Sequence, residues 1–462
     1  MTESIKLEAI HPNNDPKGSS VRHVVHQKST SSLAERNGAP LPEVQEDARP
    51  VANLDSSFTQ TKSQTIKAHV QMMVLSWTMF LVGWNDGTTG PLLPKMQEVY
   101  HTSDTIVSLV FIFACVGFVS GACLNVIISD KLGFGKVLVL GSTLQIIAYA
   151  IQSAAPPFPA FVLGYTINGV GIALQDAQAN SFAASLLKNT EAKMGLLHAI
   201  YGLGAFGAPL VATQFSQLDR WSFYYLISLG MALINTALLV TVFRFKTQDY
   251  CLEQIGQPVV QDANGAPSQA SFKTILGQRS VHLMAFFLLV YVGIEVTIGG
   301  WIVTFIIRER HGGTDAGYIS SGFFGGLALG RVALLWFNSL VGERYATFIY
   351  AALAIGLEFI VWFVPSLVGG AVAVSIVGFF LGPIYPITMN HAGRVLPRWL
   401  LAGAIGWIAG FGQAGSAVFP FMTGALAGKF GIESLQPLLI AMMVAMTILW
   451  GVINVAGRRR KD

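Results

Sequence analysis

Four acidic residues lie well inside long apolar stretches of the sequence, where a charged side chain needs a functional or structural reason. They are Asp86, Asp176, Glu295 and Glu358. A charged side chain at the centre of a bilayer costs roughly 2.5 to 3.5 kcal/mol on insertion scales. Removal from water also favours the neutral form of a carboxyl group, so such a residue can exchange a proton near physiological pH. These acids are therefore candidates for proton binding inside a membrane.

Polar neighbours distinguish the two acids of the N-terminal half. Asp86, next to Asn85, lies in a stretch interrupted by Gly, Thr and Pro, where weakened helical regularity can expose backbone groups to a cavity. The alternative for Asp86 is a capping role in a helix break. Asp176 and Asn180 are four residues apart and share one helix face, beside Gln175. Amides and a carboxylate suit a hydroxyl-rich or polar solute, and a structural network between helices is the alternative.

Composition indicates that these acids belong to an integral membrane protein. Of the 462 residues, 52% are hydrophobic and only 12% are charged, and the mean hydropathy is +0.54. That balance does not suit a water-exposed surface. The net charge of +4 comes from basic residues that do not cluster on one element, so nucleic acid binding is not expected. Three cysteines without a Cys/His cluster predict neither a metal site nor a disulfide framework.

Gaps between charged residues define twelve apolar spans, each long enough to cross a bilayer core of about 30 Å as an α-helix. We predict an all-α membrane protein with twelve transmembrane helices in two pseudo-symmetric six-helix bundles. The predicted spans are 68–92, 105–129, 136–155, 159–186, 194–216, 221–244, 281–307, 315–340, 345–365, 367–390, 400–426 and 434–457.

The polar stretches between the spans divide the chain. We predict a disordered cytosolic tail at 1–66, a six-helix bundle at 67–244, a cytosolic central loop at 245–280, a second six-helix bundle at 281–457 and a basic cytosolic C-terminus at 458–462. Near the span ends, seventeen Lys and Arg residues fall on the side of the termini and five on the other side. This positive-inside bias predicts that both termini are cytosolic, and it leaves open which membrane holds the protein.

Short repeats indicate that the two halves are homologous. The Val-Gly-x-Asn segment ending at Asn85 recurs 210 residues later as the Val-Gly-x-Glu segment ending at Glu295, and Asn180 recurs as Asn390 at the same offset. The Gly-x-Gly-x-x-Gly spacing that begins at Gly202 returns 208 residues later. Inside apolar helices such glycines allow close packing and do not indicate dinucleotide binding. Duplicated halves place a transporter's solute site near the membrane midplane.

Pseudo-symmetry sets the expectations for the C-terminal half. Glu295 should face the same central cavity as Asn85, with Tyr291 one turn earlier on its face, and a helix-packing hydrogen bond is the alternative. Arg331 either pairs with a cavity acid or extends its stem toward the cytosol. The candidate solute- or proton-binding residues are Asn85, Asp86, Gln175, Asp176, Asn180, Tyr291, Glu295, Tyr385, Asn390 and Gln413.

The loop Asp130–Lys136 (DKLGFGK), together with twelve spans in two halves, resembles the major facilitator superfamily. The run Gly83–Pro91 (GWNDGTTGP) is similar to its fucose:proton symporter-like branch, particularly the fungal members.

The resemblance covers residues 66–457 and implies that Asp86 takes part in proton coupling and that Glu358, in a peripheral span, is structural. It further implies a cytoplasmic gate formed by Asp130, Lys131, Lys136, Glu343 and Arg344. Val126 stands where this loop usually has a glycine, and Lys136 replaces a basic pair, so weaker ion pairs are expected there.

These observations predict a secondary active transporter that moves a small polar, sugar-like solute by alternating access, coupled to protons. Its expected partners are the solute, protons and the lipid bilayer. We expect a monomer without nucleic acid, cofactor or metal, and no enzymatic activity, because the sequence has no phosphate-binding or hydrolase motif. The alternatives are a proton-coupled exporter of hydrophobic or cationic compounds, and a nutrient sensor that binds its ligand without transporting it.

Overall fold

The structure, a computed structural model, describes residues 60–187, 189–257, 272–396 and 398–458. All regular secondary structure in these ranges is helical. The described residues belong to one compact unit, Ala52–Asp462, and a second unit, Met1–Val51, lies outside them. The predictions for the tail up to residue 59, for 258–271 of the central loop and for 459–462 of the basic C-terminus therefore also lie outside the described residues.

The N-terminal half contains seven helices and a short helix in the polar segment that follows. They are α1 (Lys62–Tyr100), α2 (Asp104–Val107), α3 (Leu109–Leu132), α4 (Phe134–Ser153), α5 (Phe158–Ala184), α6 (Thr190–Ser216), α7 (Tyr224–Phe243) and α8 (Gln248–Gln254). Helix α1 begins after Thr61, because its hydroxyl accepts a hydrogen bond from the Gln64 N–H while the Gln64 side chain accepts one from the Thr61 N–H. Helix α5 begins directly after Pro157, at the predicted turn between the third and fourth spans.

The remaining part of the chain contains ten helices among the described residues. They are α9 (Phe272–Leu276), α10 (Arg279–Glu309), α11 (Tyr318–Ala333), α12 (Leu335–Val341), α13 (Glu343–Phe363), α14 (Leu367–Leu381), α15 (Ile384–Val395), α16 (Arg398–Gln413), α17 (Gly415–Phe430) and α18 (Leu435–Arg458). Helices α11 and α12 together form the predicted eighth span and bend by 51° where they meet. The tenth span is interrupted at Gly382 and Pro383, and the eleventh at Ala414.

Ten helical segments of the described chain are long and apolar enough to cross a membrane, and the bent pair α11–α12 makes an eleventh. The predicted eleventh span corresponds to α16 and α17, which have 16 residues each and are therefore short when taken singly. The prediction of an all-α membrane protein is confirmed. Helix α1 runs from Lys62 to Tyr100 and is longer than its predicted span of 68–92. The helix continues through Pro91 and Pro94 into the more polar residues that follow the apolar segment.

Equivalent helices of the two halves pack in equivalent pairs. In the first half α1 packs against α6, α3 against α5, and α4 against both α5 and α7. In the second half α10 packs against α16 and α17, α11 against α14, and α13 against both α14 and α18. Contacts between the halves join α6 to α11, α1 to α10, and α3 to α17. The two halves thus repeat one packing plan around a shared central interface.

We call the end of the molecule at which α1 begins and α18 ends the terminal end, and the opposite end the distal end. At the distal end Arg308 donates to Asp104 over 2.9 Å and to Gln97 over 3.1 Å, and Gln97 donates to Asp104 over 2.5 Å. The Gln217 amide donates to the Thr314 carbonyl over 3.2 Å. These contacts join the two halves at the distal end.

Candidate functional site

A chain of hydrogen bonds surrounds Asp86 in the N-terminal half. The Asn168 side-chain amide donates to Asn85 Oδ1 over 2.5 Å, and the Asn85 side-chain amide donates to Asp86 Oδ1 over 3.3 Å. The Tyr201 hydroxyl donates to Asp86 Oδ2 over 2.7 Å. Asp86 is exposed although it lies in the middle of a long helix, whereas Asn168 is buried. The carboxylate is therefore held by two oriented donors and still accessible to a solute.

Close helix packing positions this group. A Cβ atom on Gly83 would lie 1.9 Å from the carbonyl oxygen of Tyr201, and one on Gly204 would lie 2.1 Å from the carbonyl oxygen of Phe80. Only glycine permits this approach of α1 to α6, as expected for small residues at helix contacts inside membranes. The glycine repeat that begins at Gly202 thus brings the Tyr201 hydroxyl to Asp86.

An ion pair occupies the corresponding place in the C-terminal half. Arg331 Nη2 lies 3.6 Å from Glu295 Oε1, and their side chains are 20% and 12% exposed. The Tyr291 hydroxyl, one turn before Glu295, donates to the Leu381 carbonyl over 3.1 Å. The Tyr385 ring lies 6.3 Å from the Tyr291 ring, centroid to centroid. Arg331 therefore pairs with an acid of the C-terminal half and does not leave it unpaired, a question that the sequence left open.

The two arrangements meet at the interface between α6 and α11. The Arg331 guanidinium carbon lies 5.9 Å from the centroid of the Tyr201 ring, within range of a cation–π interaction. Asp86 and Glu295 are close enough for their charges to interact. We call Asn85, Asp86, Tyr201, Glu295 and Arg331 the central cluster. It contains ionisable groups from both halves of the molecule.

The polar residues of α5 divide between this region and the helix packing. Asp176 is half-buried, its carboxylate accepts a hydrogen bond from Asn180 over 2.9 Å, and its charge interacts with that of Asp86. Gln175 is fully buried and donates to the Leu138 carbonyl over 3.2 Å. The structure thus places Gln175 between α4 and α5 and not in the central cluster. Its neighbour in the sequence points elsewhere because successive residues of a helix are rotated by about 100°.

Two further candidates lie away from the central cluster. Asn390 of α15 is exposed, and its side-chain amide donates to Oε1 of Glu343, the first residue of α13, over 3.0 Å. Gln413, the last residue of α16, donates to the Ser416 hydroxyl over 3.3 Å, and its carbonyl lies 3.8 Å from Cys115 Sγ on α3. Gln413 therefore lies at the contact between the halves, whereas Asn390 belongs to the terminal end.

The residues predicted to form the cytoplasmic gate lie at the terminal end. Glu343 forms an ion pair with Arg394 of α15, and Arg344 lies over the Tyr345 ring at 5.4 Å. Lys131 and Lys136 are exposed on either side of the turn between α3 and α4, and the side chain of Asp130 lies outside the described part of the structure. These contacts of Glu343 and Arg344 lie within the C-terminal half, and the gating role of the five residues stays a prediction.

Tyr201 and Asn168 are not among the site residues predicted from the sequence. The available signal for Tyr201 was its position next to Gly202, at the start of a repeated glycine pattern. For metal binding, the described residues contain no group of three or more His, Cys, Asp or Glu side chains arranged as ligands. The central cluster therefore consists of carboxylates, hydroxyls, an amide and a guanidinium, which suit proton exchange and hydrogen bonding to a polar solute.

Comparison with known proteins places this arrangement among transporters. Bypass of stop codon protein 6 of Saccharomyces cerevisiae is 27% identical over 459 residues, which cover 91% of each chain. The glucose/mannose transporter GlcP of Bacillus subtilis is 23% identical, over 83% of this chain and 93% of that protein. The fucose:proton symporter FucP of Escherichia coli has a similar fold, with a TM-score of 0.59 at 18% identity over 85% of this chain and 99% of that one.

The family model of the Major Facilitator Superfamily matches residues 75–314, which is more than half of the chain. The matched region runs from α1 through the first helices of the second half and includes Asp86, Tyr201 and Glu295. The packing of equivalent helix pairs in the two halves agrees with this match. This chain is a multi-pass membrane protein, not an enzyme, and it belongs to the major facilitator superfamily.

Proposed function

We propose that this protein is a proton-coupled transporter of a neutral, sugar-like solute and that the central cluster is its binding site. The observation that carries the proposal is the position of ionisable groups from both halves around one accessible carboxylate. A solute bound there contacts both halves at once, so its binding can bias their relative arrangement. Asp86 is the group that we assign to proton binding, and Asp176 lies close enough to influence it.

The contacts at the distal end suggest which conformation the structure represents. Arg308, Asp104 and Gln97 join the halves there, whereas Asp86 is exposed. We infer that the site opens toward the terminal end. The excess of Lys and Arg at that end supports a cytosolic location for both termini, and the conformation is then inward-facing. We further propose that the protein acts as a monomer in the bilayer.

The similar proteins support the solute class and the coupling ion. One relative is named as a transporter of glucose and mannose, and one structural neighbour as a fucose:proton symporter. The central cluster combines the carboxylates of Asp86 and Glu295 with the Arg331 guanidinium, so a neutral solute with many hydroxyl groups has both donors and acceptors to bind.

The test is proton movement driven by solute in proteoliposomes that carry an internal pH dye. A panel of hexoses, pentoses, polyols and hydrophobic organic cations is added outside. It is tested on wild type, Asp86→Asn and Asp176→Asn, with Glu358→Gln as a matched control that removes an acid outside the central cluster. We expect one solute to acidify the interior in wild type and in Glu358→Gln. We expect Asp86→Asn to abolish this acidification and Asp176→Asn to weaken it.

Different failures of this experiment have different meanings. If the solute enters without proton movement and Asp86→Asn does not reduce uptake, the protein is a facilitator and the assignment of Asp86 is wrong. If solutes bind to the purified protein but none crosses the membrane, the protein is a binding sensor. If only hydrophobic cations move, the exporter alternative is correct.

A further inference from the structure

We propose that Arg331 and Glu295 form a subsite that binds two adjacent hydroxyl groups of the solute. This inference rests on the proposed transport function and specifies the chemistry of its substrate: a neutral polyhydroxyl compound with a vicinal diol, and not a sugar acid. The two residues act as a donor and an acceptor presented side by side in the central cluster.

The geometry of the pair leaves hydrogen-bonding capacity unused. The separation of 3.6 Å between Arg331 Nη2 and Glu295 Oε1 is an ion pair but is too long for a good N–H···O hydrogen bond. Arg331 Nε is buried and has no hydrogen-bond partner among the described residues. A guanidinium carries five N–H donors in a planar fork and has no acceptor. The Tyr291 hydroxyl lies beside both charged groups. The exposed part of the pair still offers N–H donors and carboxylate oxygens to a ligand that supplies hydroxyl groups.

A vicinal diol fits this pair because each hydroxyl is both a donor and an acceptor. One hydroxyl can donate to the Glu295 carboxylate while the neighbouring oxygen accepts from Arg331. Hydrogen bonds to charged groups are stronger than neutral ones, so the two contacts are selective for the correct diol. The Tyr201 and Tyr385 rings are partly exposed near the pair and provide apolar faces for a sugar ring, whereas the Tyr291 ring is fully buried.

The surrounding charges disfavour an acidic solute. Among the described residues, Arg331 is the only Lys or Arg side chain of the central cluster. The negative charge of Glu295 already balances its positive charge. Asp86 from α1 adds a carboxylate on one side, and His198 from α6 also lies near enough to Arg331 for an electrostatic interaction. A carboxylate on the solute would therefore meet an excess of acidic groups. The hydroxyl groups of a neutral sugar do not carry this penalty.

The experiment measures binding directly, so that it does not depend on proton coupling. Purified protein in detergent at one fixed pH is titrated by calorimetry with D-glucose, with each monodeoxy-D-glucose and with D-glucuronate. We expect the loss of either hydroxyl of one adjacent pair to weaken binding roughly tenfold, the cost of one hydrogen bond to a charged group. We expect glucuronate to bind at least tenfold more weakly than glucose.

The variants decide whether Arg331 and Glu295 cause these losses. In Arg331→Gln the deoxy sugar that lacks the hydroxyl accepting from Arg331 should bind no more weakly than glucose does to that variant, since the partner group is gone. In Glu295→Gln the same should hold for the hydroxyl that donates to Glu295, while the other penalty remains. Arg331→Lys retains the charge without the fork, and it is the fallback if Arg331→Gln does not fold. It should abolish the penalty for the hydroxyl that accepts from Arg331 and leave the other penalty in place.

Two results would overturn the inference, and they are distinguishable. If glucose binds and the deoxy penalties are the same in wild type and in all three variants, the diol contacts lie elsewhere and only the subsite is refuted. If no neutral sugar or polyol binds wild-type protein at all, the substrate class of the proposed function fails as well. Equal binding of glucuronate and glucose would refute the exclusion of sugar acids.

Discussion

Glu295 and Glu358 show how differently one residue type behaves in two regions of the same half. Each is the only acidic residue in its long apolar stretch. Glu295 lies at the interface of the halves, with Arg331 at 3.6 Å. Glu358 is fully buried in α13, and neither of its carboxyl oxygens has a hydrogen-bond partner among the described residues. The two acids therefore differ in whether the fold brings a charged partner to them.

The surroundings of Glu358 explain the contrast. Helices α14 and α18 pack against α13, and neither carries an ionisable side chain before Arg458. Arg310, which directly follows α10, donates from its guanidinium to the carbonyls of Val361 and Trp362, one turn beyond Glu358. Trp450 of α18 donates to the Arg344 carbonyl over 3.0 Å and so joins α18 to the start of α13. The interior of this bundle provides packing and no charge partner.

The largest expected effect comes from removing the charge of Glu295. Glu295→Gln leaves the buried guanidinium of Arg331 without its counter-ion, and an uncompensated buried charge costs about 3 to 5 kcal/mol. We expect solute uptake into proteoliposomes to fall by about a hundredfold or more, while Glu358→Gln stays within twofold of wild type. Equal losses in the two variants would show that the comparison between these acids has no functional meaning.

The stability of the ion pair gives the next effect. Arg331→Met leaves the Glu295 carboxylate unpaired, so we expect the free energy of unfolding to fall by about 3 kcal/mol. The double variant Arg331→Met with Glu295→Met removes both charges and should recover most of that loss, because two apolar side chains can replace a buried pair. Denaturation in detergent, followed by tryptophan fluorescence, measures all three. Additive losses in the double variant would contradict the pairing.

A smaller effect is expected at the contact between Tyr201 and Asp86. Tyr201→Phe deletes a hydroxyl that donates to the carboxylate over 2.7 Å, a hydrogen bond to a charged group worth about 1.5 to 3 kcal/mol. Proton-driven uptake should fall about tenfold, whereas the ring that lies under Arg331 is retained. Tyr224→Phe is the control, since its hydroxyl bonds with Thr88 within the N-terminal half. Uptake that is unchanged in Tyr201→Phe would remove this hydroxyl from the site.

The smallest effect is expected at Glu358 and has the opposite sign. Replacing a buried acid that lacks a partner with an apolar side chain of similar size removes a desolvation penalty, so Glu358→Leu should stabilise the protein by about 1 kcal/mol. Glu358→Ala should not, because it leaves a cavity. Thermal unfolding in detergent compares the two. A strong loss of stability in Glu358→Leu would show that Glu358 has a polar role in the bundle.

Much of the architecture follows from the order of the amino acids alone. The twelve apolar spans, the repeat that relates Asn85 to Glu295, and the four intramembrane acids are all readable from residue types and spacing. They are readable because bilayer thickness sets the length of a helix and the cost of a buried charge makes acids conspicuous. The positions of Asp86 and Glu295 near one another follow from the repeat. Their assignment to solute and proton binding remains a prediction.

The partners of these residues depend on the tertiary structure. Helical periodicity shows which residues share a face, but not toward which neighbouring helix that face turns. Gln175 packs against α4 although it adjoins Asp176 in the sequence, and Asn390 lies at Glu343 although it is the repeat equivalent of Asn180. The long side chain of Arg331 could reach either an acid between the halves or the cytosol. Only the packing of α11 against α6 and α10 brings it to Tyr201 and Glu295. Amino-acid order alone thus specified the spans and the acids, whereas the rotation and register of packed helices decided which of them meet.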